Sequence, residues 1–151
     1  MKLQSKTRVA LAAAAFSLVS LAGLGSSLAL ADGKRTPSPA GAELYFISPA
    51  DGATVSSPVT VKFGLKGMGI APAGIQFDNT GHHHLIIDAE LPPAGAPIPT
   101  DANHVHFGKG QSEATVELKP GKHTLQLLLG DFAHTPHDPV VASKKITITV
   151  K

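Results

Sequence analysis

Eight histidines lie between His82 and His137, and none lies outside that window. They fall into groups: "GHHHL", "NHVHF" and "AHTPHDP", with His123 by itself. A neutral imidazole carries one donor and one acceptor nitrogen, and it is the side chain most often found on protein-bound metals. In extended chain, an H-x-H pair points both rings to the same face, about 6.6–7 Å apart. Two such pairs on neighbouring strands, His82 with His84 and His104 with His106, can therefore bring four nitrogens around one ion at bonding distances of about 2.0–2.1 Å. His134 and His137 sit in a proline-containing loop and are further candidate ligands from the same end of the fold. The chain has no cysteine, and Met68 is the only methionine beyond Met1, so soft sulfur coordination is poorly served and the nitrogen set suits Cu(II), Zn or Ni. Asp88, Asp131 and Asp138 are candidates to orient the rings by hydrogen bonding. His83 and His123 are expected to be structural, satisfied by backbone or carboxylate partners.

These residues need strands to hold them. In "HHHLIID" the alternation places His83, Leu85 and Ile87 on one face and His82, His84, Ile86 and Asp88 on the other, and the more apolar first set is expected to face the core. "AELYFIS", "VTVKFGLKG", "HVHF", "SEATVEL", "KHTLQLLLG" and "KKITITV" have the same half-buried period or are short apolar runs bounded by Gly, Pro, Asn and Asp. "SEATVEL" and "KHTLQLLLG" are expected to form a hairpin about Lys119-Pro120-Gly121-Lys122. The segment "MGIAPAGIQFDNTG" is too rich in Gly and Pro for a helix. "AELPPAGAPIPTDAN" is a long proline-rich connection of the kind that tends to be functional or mobile. About seven short strands without a helix predict an all-β fold, an antiparallel immunoglobulin-like (fibronectin-like) β-sandwich. The disulfide and core tryptophan of antibody domains are absent.

The start of the chain has another character. "MKLQSKTRV" is basic, an apolar run follows from Val9 to Leu24, and Ala29-Leu30-Ala31 ends it, the pattern of a secretory signal over residues 1–31. Residues 32–41, "DGKRTPSPAG", read as a flexible leader and residues 42–151 as one β-sandwich domain. Residues 32–151 hold ten Lys plus Arg and eleven Asp plus Glu, a net charge of −1. No basic stripe is left for nucleic acid, and no membrane anchor is expected after cleavage. Absence of cysteine also excludes a lipid-anchored N-terminal cysteine and a cysteine nucleophile. The expected product is soluble, exported and periplasmic.

From about Tyr45 to Val150 the chain resembles the exported bacterial family catalogued as domain-of-unknown-function 4399, on "FGLKGMGIAPAG", "NTGHHHLIID", "NHVHFGKGQ" and "PGKHTLQLLLGDFAHTPHDP". That resemblance implies export and a single domain, and it names no activity. "SPADGATV" is similar to a segment near the start of periplasmic copper carriers, whose N-terminal histidine ligand is here replaced by Asp32. "HVHFG" is similar to the H-x-H of copper-zinc superoxide dismutases, though the disulfide expected there cannot form. The leading expectation is a periplasmic protein binding a divalent transition metal, copper or zinc, for storage, delivery or tolerance. The alternatives are a metal-free structural or interaction module whose histidines form a hydrogen-bonded network, and a metalloenzyme of superoxide-dismutase or hydrolase type with Glu90 as the nearest acid.

Overall fold

The computed structural model describes residues 35–151; the proposed signal and its cleavage point lie outside the described residues. Nine strands follow one another: β1 (Glu43–Ser48), β2 (Thr54–Val55), β3 (Val59–Lys66), β4 (Gly69–Ile70), β5 (Thr80–Ile87), β6 (His104–Phe107), β7 (Glu113–Val116), β8 (Gly121–Gly130) and β9 (Ile146–Val150). Among the described residues there is no helix, and hence none long and apolar enough to cross a membrane. One sheet has the order β1-β3-β7; the other runs β2-β9-β8-β5-β4, with β6 also paired to β5. The pairings are antiparallel except for the two-residue contacts β2–β9 and β4–β5. The fold is a β-sandwich.

Alternation along the strands builds its interior. Leu44, Val59, Val61 and Phe63 of the small sheet meet Leu85, Ile87, Leu125, Leu127, Leu129 and Ile148 of the large one in a single cluster. Burial of such side chains is the main drive to fold, at about 1.5–3 kcal/mol each. β5 departs from simple alternation, because every residue from Gly81 to Ile87 is buried. Its second face is covered by the connection after Ile87: Ile98 packs with Ile86 and Leu128, flanked by Ala89, Leu91 and Ala142. The proline-rich stretch thus acts as a cover over the outer face of the sheet.

The hairpin expected between "SEATVEL" and "KHTLQLLLG" does not form. β7 pairs with β3, Val116 opposite Val59, while β8 pairs with β5 and β9. Ser57 Oγ holds the Leu118 amide at 3.0 Å, keeping the chain on the first sheet almost to the turn. Residues 117–120 then cross to the second sheet. Stacked sheets lie about 10 Å apart, which four extended residues span. Period reveals a strand's two faces, but its partner is set by where the whole apolar face finds cover.

Residues 35–38, within the stretch read as a leader, run along the segment after β8. Ser38 N donates to Asp138 O at 2.9 Å and Asp138 N to Thr36 O at 3.0 Å. Arg35 adds an ion pair to Asp138 at 2.7 Å and a bond to His137 O at 2.8 Å.

Candidate functional site

Register explains which histidines meet. His82 and His84 share the outer face of β5, and β6 lies beside it with His106 directly opposite His84. A fourth ring, His134, arrives from the turn after β8. The ring centroids of these four residues are separated by 4.8 Å (82–84), 5.0 Å (82–106), 4.8 Å (82–134), 5.0 Å (84–106), 6.0 Å (84–134) and 4.5 Å (106–134). Ligand nitrogens of His82, His84 and His106 lie within 4.8 Å of one another. His134 Nε2 is 3.0 Å from His106 Nε2, so one ring can donate to the other.

Small residues make the room. A Cβ on Gly130 would come within 2.7 Å of the His84 ring, and one on Gly108 within 2.4 Å of the His106 ring. Real Cβ atoms do not approach so closely, so each imidazole occupies space that only glycine leaves. Neither glycine was singled out from sequence, where Gly108 read as a turn residue and Gly130 as the end of the strand "KHTLQLLLG".

His134 has a φ of 62°, the left-handed region that a residue with a side chain rarely adopts. The turn that imposes it is built on Asp131, whose Oδ1 accepts from Ala133 N and Thr135 N at 2.9 Å. Its Oδ2 accepts from the Thr36 hydroxyl at 2.6 Å. The carbonyl of His134 takes the Ile98 amide at 2.7 Å, tying the turn to the cover over the sheet. Asp131 therefore shapes the backbone that presents His134, rather than bonding to a ring of the cluster.

The electrostatics set the cluster apart. His82 and His84 are fully buried, and neither nitrogen of either ring has a hydrogen-bond partner among the described residues. A buried polar group without a partner costs about 1–3 kcal/mol. Burial, reinforced by repulsion from His134 and His106, pushes His82 down to about 4, with the Asp131 carboxylate opposing. Burial and the neighbouring rings push His84 down to about 3, and His106 is lowered for the same reasons. These imidazoles are neutral at physiological pH with lone pairs available, the state a metal requires.

The remaining candidates lie apart from the four. His104 faces the same side as His106 but pairs with Ile86, one step further along β5, and about 7 Å of strand separates it from the group. Its Nδ1 bonds Asp101 Oδ1 at 2.8 Å. His137 is buried on the opposite side of the sheet: its ring lies against Gly81, where a Cβ would meet it at 2.9 Å, and Gly81 shares a face with His83. Its Nε2 donates to Thr80 O at 3.2 Å. The H-x-x-H pair is thus split between two faces. His123 is structural, as expected, with Asp88 Oδ2 at 2.7 Å and Lys119 O at 2.8 Å. His83 is inside the core against Phe63, centroids 4.9 Å apart, and neither of its nitrogens has the partner expected of a structural histidine. Of the three aspartates, Asp88 serves His123 and Asp138 serves Arg35. Glu90, exposed, pairs with Lys145.

No curated protein and no solved structure matches this sequence significantly. The model of the family described as a domain of unknown function (DUF4399) matches residues 61–151, a span that holds every histidine discussed above, and the chain belongs to that family.

Proposed function

We propose that this protein binds a divalent transition metal, copper or zinc, through His82, His84 and His106, and serves in storage, delivery or tolerance of that metal in the periplasm. One observation carries the reading: three imidazoles with nitrogens within 4.8 Å of one another, two of them fully buried, with no hydrogen-bond partner for those two among the described residues. Coordination gives each ring a partner for a lone pair, and the low proton affinity of the site leaves those lone pairs free. A histidine network held by hydrogen bonds, the reading of a metal-free module, lacks those bonds at His82 and His84. Hydrolytic chemistry needs an acid or base beside the ion, and Glu90 is engaged with Lys145. The basic, apolar start of the sequence supports export. The test is metal analysis of the protein purified at neutral pH, followed by titration of chelator-stripped protein with Cu(II) and Zn(II). One equivalent bound by the wild type and lost in His84→Ala is expected; absence of any bound copper, zinc or nickel in both measurements overturns the proposal.

A further inference from the structure

The metal reading leaves open which ion the cage suits and whether it keeps a position for water. An imidazole bound through a nitrogen 2.0–2.1 Å away places its ring centroid about 3.2 Å from the metal. Four such rings at tetrahedral corners have all six centroid separations near 5.2 Å. At the corners of a square, four separations are about 4.5 Å and the two diagonals about 6.4 Å. Here five separations fall between 4.5 and 5.0 Å and one, His84 to His134, is 6.0 Å. The pair opposite that long edge, His82 and His106, is only 5.0 Å apart. A square would lengthen both members of that opposed set. The ring centroids outline a distorted tetrahedron with one opened edge; the nitrogens of His134 fall outside the 4.8 Å set formed by those of His82, His84 and His106, so closure on an ion takes a movement of the rings across that edge.

We infer that His134 is the fourth ligand and that the four imidazoles form a closed tetrahedral site for a d10 ion, zinc(II) foremost, which leaves no coordination position for substrate. The inference rests on the metal-binding reading above and narrows it. Three features support closure. The turn built on Asp131 holds His134 in a left-handed conformation that aims it at the other rings. Its Nε2 is 3.0 Å from that of His106, close to the 3.3 Å edge expected for about 2.05 Å bonds in a tetrahedron. Gly130 and Gly108 leave the space that the His84 and His106 rings occupy. Zinc(II) has no geometric preference from its d electrons and accepts such a cage, whereas copper(II) prefers tetragonal fields. A closed set of protein ligands is the mark of a holding site, since catalytic zinc keeps a position for water.

Affinity alone cannot test this, because copper(II) exceeds zinc(II) at most nitrogen sites. Coordination geometry can. Chelator-stripped wild-type protein is titrated with Co(II) and with Zn(II), and the visible spectrum of the Co(II) adduct is recorded. The expected result is one equivalent of each, with the intense visible bands of four-coordinate cobalt, abolished when Zn(II) displaces it. In His134→Asn, a residue that tolerates the left-handed backbone, zinc affinity should fall at least about 10-fold, the lower end of what loss of a mere supporting partner costs. The cobalt bands should weaken to those of a water-bearing five- or six-coordinate ion. Weak bands in the wild type, or an unchanged spectrum in His134→Asn, overturn the inference while metal binding itself survives. Failure of the wild type to bind Co(II), Zn(II) or Cu(II) at neutral pH removes the metal reading and this one with it. If His134→Asn does not fold, His134→Gly replaces it, and the wild-type cobalt spectrum decides closure without either variant.

Discussion

The histidines beside the two ends of β5, His123 on β8 at one and His82 and His84 within β5 at the other, live in opposite worlds. At its C-terminal end, His123 is locked between Asp88 and a backbone carbonyl, and the carboxylate raises its proton affinity. Burial by itself would raise Asp88, but its bonds to His123 and the Thr124 amide prevail and lower it. At the other end, His82 and His84 are buried among rings of their own kind without a bonded carboxylate, and their proton affinity collapses. A fold that needed these imidazoles only for stability would partner them as it partners His123. The difference teaches that a histidine's role is read from what surrounds both nitrogens: His82 and His84 face other imidazoles with open lone pairs, whereas His83, equally unpartnered, faces the core.

Breaking the proposed metal site at His82, His84 and His106 should give the largest effect. His84→Ala is expected to weaken zinc or copper binding at least about 100-fold, about 2.7 kcal/mol, measured by competition with a chromophoric chelator; His123→Ala should leave it within about 2-fold. Equal losses in the two variants would erase the contrast.

Acid should separate the two ends next. Unfolded histidines titrate near 6.5, while folded His82 and His83 do so at about 4 and His84 at about 3. Between those limits the unfolded chain holds more protons, so stability of the metal-free protein falls as pH drops from about 6.5 toward 4. The loss should be on the order of several kcal/mol for the buried set, and His82→Leu/His84→Leu should flatten that limb in urea unfolding. The His123–Asp88 pair behaves in reverse. The raised His123 contributes fully below about 6.5 and loses its contribution as pH rises through its folded value. Asp88 keeps its contribution until pH falls below its ordinary 3.8. An acid limb that disappears in His123→Ala instead would reverse the assignment.

At neutral pH the stability order should invert that of function. His123→Ala removes a charge-assisted bond and should destabilise by about 1–2 kcal/mol. His82→Leu/His84→Leu removes orphaned polar atoms from an apolar setting, so the metal-free midpoint should be unchanged or higher. A large drop in that double variant would show that the rings stabilise the fold through bonds of their own. The smallest effect is expected at His104→Ala, which breaks the contact to Asp101; metal affinity should not change.

Much of this was legible in the chain. The face assignment along "HHHLIID" holds, with Leu85 and Ile87 in the main core and His82 and His84 on the other side. Period 2 fixes that relation locally, because consecutive side chains must point to opposite faces. The cover over the second face was not legible, since nothing in "ELPPAGAPI" tells Ile98 to fold back onto Ile86 and Leu128. Nor was the split of the His104/His106 pair, because the register of β6 against β5 selects His106 and passes over His104.

By itself, then, the sequence determined the seven longer strands and their two faces, though not the two-residue strands β2 and β4, together with the absence of sulfur ligands and the presence of paired imidazoles, all of which follow from composition and backbone geometry within a few residues. Tertiary structure alone decided that His82, His84, His106 and His134 share one small volume while His104 and His137 do not. Strand register, the inter-sheet crossing at residues 117–120 and the Asp131 turn are settled by contacts between segments far apart in the chain. Such contacts carry no local period, so they emerge only when the whole apolar surface is closed.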